Sequence, residues 1–222
     1  MTHTTHTFSR RITQRIALDY LLHLPPGYSR RSKNKLPLIL FLHGSDECGA
    51  DVTLVRRHGI PKVAERDPDF PFITVSPQCP ANSTWVMQRD ALLMLLDDVL
   101  RTYSADVSRV YLTGISMGGY GAWHLGSEHP GRFAAVVPIC GGYEEMLGYP
   151  ERVCGLRYTP VWAFHGAKDK DVPVSETRAL VRVLRNCGGN VKLTVYRDVG
   201  HDSWTRTYNN PALYRWLLKQ RR

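Results

Sequence analysis

Arg109-Val110-Tyr111-Leu112-Thr113-Gly114-Ile115-Ser116-Met117-Gly118-Gly119-Tyr120 joins a short apolar run to a glycine-rich turn and then to a helix-forming segment that continues to about His129. The run is short enough for a buried strand, so Gly114-Ile115-Ser116-Met117-Gly118 falls where a strand turns sharply into a helix. A serine at the tip of such a turn is held out above the end of a sheet. Glycines two residues to either side remove the Cβ atoms that would collide with the flanking strand and helix. A glycine-rich loop with an incidental serine has no reason to fall between a strand and a helix.

Outward from this turn the chain alternates between two patterns. Apolar runs predict strands at Ile16–Leu24, Leu36–Leu42, Phe70–Val75, Arg109–Thr113, Phe133–Ile139, Pro160–Phe164 and Val191–Tyr196. Leu92, Leu95, Leu96, Val99 and Leu100 stand at helical spacing and predict a helix over Arg89–Tyr103. Further helices are expected from Met117 to about His129, at Val174–Cys187, and at Pro211–Gln220 with proline in its first turn. Val52–Arg66 is helical in composition, but Gly59 and Pro61 should break it in two. Near-continuous apolar strands alternating with helices indicate an α/β class, a mainly parallel sheet covered on both faces.

Composition excludes several functions. A chain of 222 residues without repeats or Ser/Gly-rich linkers predicts one domain, and no apolar run reaches the roughly 18 residues of a membrane span. Residues 1–11 carry Thr, His and Arg where an export signal needs an apolar stretch, so no such signal is expected. The net charge of +9 is concentrated at the ends: residues 1–35 hold seven Lys or Arg against Asp19, and Lys219, Arg221 and Arg222 add three more. A nucleic-acid binder carries its basic stripe on the face that docks, so no specific nucleic-acid partner is expected. Residues 1–18 are read as a basic, flexible segment preceding a domain over 19–222. Cys48, Cys79, Cys140, Cys154 and Cys187 are odd in number and form no C-x-x-C pair. That pattern predicts reduced thiols, no zinc site and a cytoplasmic location.

A serine hydroxyl needs a base, and on this kind of turn the base follows the last strand. His201, in Gly200-His201-Asp202-Ser203-Trp204, stands there. His3, His6, His23, His58, His124 and His129 read as surface or packing residues, and His43 and His165 as braces of the loops they open. The acid that orients the base should lie in His165-Gly166-Ala167-Lys168-Asp169-Lys170-Asp171-Val172-Pro173, where Asp169 and Asp171 compete. His43-Gly44-Ser45 follows the strand Leu36–Leu42, so the Ser45 N–H and the Met117 N–H are expected to form an oxyanion hole.

The order Ser116, Asp169 or Asp171, His201 is that of α/β-hydrolases. The sequence resembles that superfamily, in its branch of carboxylesterases and predicted peptidases related to phospholipase/carboxylesterase and feruloyl-esterase-like domains. The likeness runs from about Asp19 to Leu218. It is carried by Leu24-Pro25-Pro26-Gly27-Tyr28, Leu42-His43-Gly44, Val75-Ser76-Pro77-Gln78-Cys79-Pro80, the Ser116 turn, Phe164-His165-Gly166 with Val172-Pro173, and Gly200-His201-Asp202-Ser203-Trp204. The resemblance implies an α/β-hydrolase fold and selects Asp169, four residues after His165 and four before Pro173. It further implies a serine esterase acting on a small-molecule ester, with no metal or cofactor. Peptide or thioester cleavage by the same residues, and a non-catalytic binding protein of the same fold, are the alternatives. Only Cys140 to Thr159 separates two strands where larger hydrolases carry a cap, so no large cap domain is expected. The site should be open and lined by that insertion and by the loop after Phe70–Val75, including Trp85 as an acyl or aryl platform, whereas Trp204 beside His201 reads as structural.

Overall fold

The computed structural model describes residues 3–11, 13 and 15–222. The expected basic segment at 1–18 falls partly on Met1, Thr2, Ile12 and Gln14, outside the described residues. Its described residues form no helix or strand and are almost all exposed.

Seven strands form one sheet in the order β1-β3-β2-β4-β5-β6-β7. They are β1 (Tyr20–His23), β2 (Leu36–Leu42), β3 (Ile73–Pro77), β4 (Ala105–Ile115), β5 (Ala135–Ile139), β6 (Val161–Gly166) and β7 (Val191–Tyr196). All neighbours run parallel except β1, which lies antiparallel on β3 with Tyr20 opposite Pro77 and His23 opposite Thr74. The helices are α1 (Gly59–Arg66), α2 (Arg89–Thr102), α3 (Met117–Glu128), α4 (Val174–Asn186), α5 (Trp204–Tyr208) and α6 (Pro211–Leu218).

Alternation along β2 explains the two-sided core. Leu38, Leu40 and Leu42 join Leu92, Leu96 and Val99 of α2, Trp123 and Leu125 of α3, and Leu180 and Leu184 of α4. Ile39 and Phe41 face the other way, onto Ile60 of α1, Tyr208 of α5, and Leu213 and Leu217 of α6. The chain leaves β2 for β3 on one side and crosses to β4 on the other, so the loops after β2 and β4 part at this point of the sheet. In open α/β sheets a ligand crevice forms at such a switch, beyond the carboxyl ends of the strands.

Several boundaries move from their expected places. The break in 52–66 falls at His58, between a 3₁₀ stretch Val52–Arg57 and α1. It is enforced by Gly59, at φ +68° with Phe41 2.2 Å from where a Cβ would stand. Pro61 breaks nothing, because it sits in the first turn of α1, where backbone N–H groups need no partner. The expected strand Phe70–Val75 begins only at Ile73, since Phe70 and Phe72 are spent on an aromatic cluster with Tyr214. The five-residue α5 has no counterpart among the expected elements.

The expectation that all thiols are unpaired is wrong: Cys154 and Cys187 form a disulfide. Cys154 belongs to the 3₁₀ stretch Glu151–Tyr158, and Cys187 caps α4. Separated by 33 residues, they are brought to a Cα–Cα distance of 6.0 Å only by the tertiary fold. Cys48, Cys79 and Cys140 are free. Closing a loop of this length stabilises by roughly 2–4 kcal/mol through the unfolded chain. Thermal or urea unfolding with and without a thiol reductant should show that loss; equal midpoints would contradict it.

Candidate active site

Ser116 sits between β4 and α3 with φ 52° and ψ −118°, a region non-glycine residues seldom occupy. The glycines beside it explain how the chain tolerates this. A Cβ on Gly114 would lie 2.1 Å from the Gly118 carbonyl oxygen, and one on Gly118 would lie 2.0 Å from that of Leu42. Strand, turn and helix are therefore in backbone contact with each other and with the end of β2. Ser116 N donates to the Ile139 carbonyl at 3.0 Å, which ties the turn to β5 as well.

His201 Nε2 lies 2.9 Å from Ser116 Oγ, and His201 Nδ1 lies 2.8 Å from Asp169 Oδ2. The Asp169 side chain is fully buried, and its Oδ1 accepts from the N–H groups of Asp171 and Val172, each at 3.0 Å. Asp171 offers only its amide to this arrangement; its side chain is exposed at the rim of the cavity. The competing carboxylates thus separate by burial.

His165 also reaches this carboxylate, with Nε2 at 3.1 Å from Asp169 Oδ2 and 2.9 Å from the Val172 carbonyl. Both partners are acceptors, so Nε2 carries the proton. Burial lowers the His165 pKa against the pull of the Val172 carbonyl and of Asp169. His43 likewise braces a loop. Its Nε2 accepts from Cys79 N at 2.9 Å, which places its proton on Nδ1, 2.6 Å from the Gly44 carbonyl. Burial pushes its pKa down to about 4, so it stays neutral.

The loop after β2 is held from β3 through residues quoted in the sequence pattern. Gln78 Nε2 donates to the carbonyls of Glu47 and Asp51, each at 2.8 Å, and Trp85 Nε1 donates to the His43 carbonyl at 2.9 Å. The loop approaches Ser116 closely: a Cβ on Gly44 would stand 3.7 Å from that of Ser116. Among the described residues, neither the Ser45 N–H nor the Met117 N–H has a hydrogen-bond partner.

A cavity of about 310 Å³ opens beside Ser116, lined by the loop Gly44–Glu47, His58, Ile115, Ser116, Asp171, His201 and Trp204. Two expectations fail here. Trp85 is 1% exposed and packs edge-on against His43 at 4.9 Å, so it supports the backbone of the loop after β2 and cannot serve as a substrate platform. Residues 140–159 do not line the cavity; their 3₁₀ stretch Glu151–Tyr158 lies against α3 and α4. Conversely, Glu47, His58 and Trp204 line it and were not singled out as site residues. His58 reads as helical by composition but occupies the break before α1, and Trp204 opens a helix too short for a periodic signal. Among the described residues, one His/Asp/Glu/Cys group has ligand atoms within 4.8 Å of one another: Asp169, Asp171 and His201. Two of the three already bond each other, which leaves little for a metal ion.

Residues 62–210, 149 of the 222, match the phospholipase/carboxylesterase family model, and the chain belongs to that family of ester hydrolases. A bifunctional acetylxylan esterase/xylanase of Neocallimastix patriciarum is 27% identical over 185 residues, covering 81% of this chain and 26% of that protein. The crystal structure of a thermostable esterase superposes with a TM-score of 0.77 at 33% identity, covering 92% of this chain and 60% of that one. A ferulic acid esterase shares the fold, with a TM-score of 0.68 at 21% identity over 89% of each chain. The chain spans about a quarter of the length of the first relative and three fifths of that of the second.

The buried histidines make acid stability predictable. Burial lowers His43 and His124 to about 4 from 6.5, and lowers His165 as well. Between pH 6.5 and 4 the unfolded chain binds protons that the folded one refuses, so stability present above pH 6.5 is lost as the pH falls through this window. Each proton taken up on unfolding contributes about 1.4 kcal/mol per pH unit. Glu47, raised by burial, offsets part of this. Urea unfolding at several pH values should show the decline; a flat profile between pH 6.5 and 4 would contradict it.

Proposed function

We propose that the protein hydrolyses carboxylic esters through an acyl-enzyme on Ser116. The observation that carries this reading is the unbroken line from Ser116 Oγ through His201 to buried Asp169, next to two unpartnered amides. Ser116 Oγ attacks the ester carbonyl carbon while His201 Nε2 takes its proton. The oxyanion that forms accepts from the N–H groups of Ser45 and Met117, an interaction strongest in the tetrahedral state. Collapse breaks the bond to the alcohol oxygen, which leaves with the proton from His201. A water molecule, deprotonated by His201, then attacks the acyl carbon and releases the acid. Asp169 holds the imidazole with its proton on Nδ1 and stabilises the imidazolium of each transition state.

The volume of about 310 Å³ is at the small end of ligand sites, which favours compact esters over long acyl chains. On this reading residues 19–222 are one catalytic domain, and the basic ends bind no specific nucleic acid. No helix among the described residues is long and apolar enough to cross a membrane. The ground for a cytoplasmic location was unpaired thiols; the Cys154–Cys187 disulfide removes it, since such bonds persist in oxidising compartments.

Steady-state kinetics on aryl esters, with peptide amides alongside, test the assignment. Ser116→Ala should abolish turnover above background. Asp169→Asn should lower kcat by about 10² to 10⁴. Asp171→Asn should change it less than about tenfold, as expected for an exposed carboxylate. Ester turnover retained in Ser116→Ala would refute the mechanism, and a greater loss in Asp171→Asn than in Asp169→Asn would transfer the role of the acid.

A further inference from the structure

Glu47 is a buried charge that the chemistry above leaves without a task. It ends the 3₁₀ stretch Ser45–Glu47 after β2, its side chain is 3% exposed, and it borders the cavity beside Ser116. Among the described residues, no side chain donates a hydrogen bond to either carboxylate oxygen, and the Gly44 amide is a backbone donor to it. His43 Nδ1 and His58 Nε2 stand 3.9 and 3.8 Å away. His43 supplies no counter-charge, because it is neutral and its Nδ1 proton goes to Gly44. Burial raises the Glu47 pKa against the pull of His58, the Gly44 amide and Arg57, while neighbouring Asp46 adds to the rise. A buried carboxylate is costly unless donors reach it, and its open side is the cavity.

The rest of the lining narrows the class of donor. Asp46 and Asp171 stand exposed at the rim, and among the described residues no Lys or Arg lines the cavity, despite the chain's net charge of +9. Trp204 walls the same space, its ring 5.6 Å from that of His58 and 5.3 Å from that of His201. Carboxylates repel anions and accept hydrogen bonds from hydroxyl groups, while an aromatic wall suits the apolar face of a compact ring.

We propose that Glu47 is a specificity-determining residue whose carboxylate accepts a hydrogen bond from a free hydroxyl of the substrate. With Trp204 it selects esters of uncharged, polyhydroxylated alcohols, such as partly acetylated sugars, over anionic esters. This rests on the ester-hydrolase reading.

The test compares kcat/KM of the full chain for a methyl xyloside monoacetate, 4-acetoxybenzoate and 4-nitrophenyl acetate, in the wild type and in Glu47→Gln and Trp204→Phe. The wild type should favour the sugar acetate over the anionic ester by tenfold or more. In Glu47→Gln that ratio should fall about tenfold, the difference between a charged and a neutral acceptor together with relieved repulsion of the anion, and KM for the sugar acetate should rise. Trp204→Phe should lower the same ratio, and it decides the matter with the wild-type ratio if Glu47→Gln fails to fold. A fall in kcat shared by all three esters with the ratio unchanged would mean that Glu47 merely braces the oxyanion loop, and would overturn the proposal. So would a wild type without the preference. Absence of 4-nitrophenyl acetate turnover in the wild type is the separate signature of failure of the ester-hydrolase reading, with which this inference falls.

Discussion

The structure turns on a backbone contact: the first turn of α3 is pressed so closely against β4 and the end of β2 that only glycine fits at 114 and 118. This contact leaves Ser116 no ordinary conformation. Its positive φ costs on the order of 1–3 kcal/mol, offset by packing of α3 under the sheet. In return Ser116 stands at the point where the loops after β2 and β4 part, with the Gly44 backbone close beside it. A side chain at either glycine would separate α3 from the strands and withdraw Ser116 from both loops.

The electrostatics follow from burial. His43, His165 and His201 all lie at the site, and the fold treats them differently. His43 and His165 are enclosed, have lowered pKa values and act as neutral hydrogen-bonding braces. His201 keeps 20% of its side chain exposed, so it alone of the three has room to exchange a proton with substrate or water. Asp169 accepts from two backbone amides and lies within hydrogen-bond reach of His165 and His201.

Legibility in the sequence followed the range of the forces. β2 and β7 fall at their expected bounds, because a wholly apolar run and a regular strand pattern are local signals. The geometry around Ser116 was readable because its glycine spacing is a local steric demand, and the place of His201 beside it because the loop after the last strand returns to that end of the sheet. Asp169 was separated from Asp171 through resemblance and its place nearer the end of the strand; burial of its side chain against two amides needs the fold. Trp85 was misread because a tryptophan in a loop gives no sign of whether it faces solvent or supports a neighbour. Glu47 and His58 carry no pattern, Trp204 stands only in a motif of the resemblance, and the three become neighbours when the loops after β2, before α1 and after β7 converge. The Cys154–Cys187 pair was invisible for the same reason, as spacing along the chain says nothing of distance across it.

The central claim is that this strained turn presents Ser116 as a nucleophile that becomes acylated. Rapid mixing with a short-chain 4-nitrophenyl ester, acid quenching on the millisecond scale and peptide mapping by mass spectrometry test it most directly. The expected result is a burst of nitrophenol approaching one equivalent per active chain, with the acyl mass on the peptide that contains Ser116. Steady turnover with no acylated peptide, or an acyl group on another residue, would contradict it.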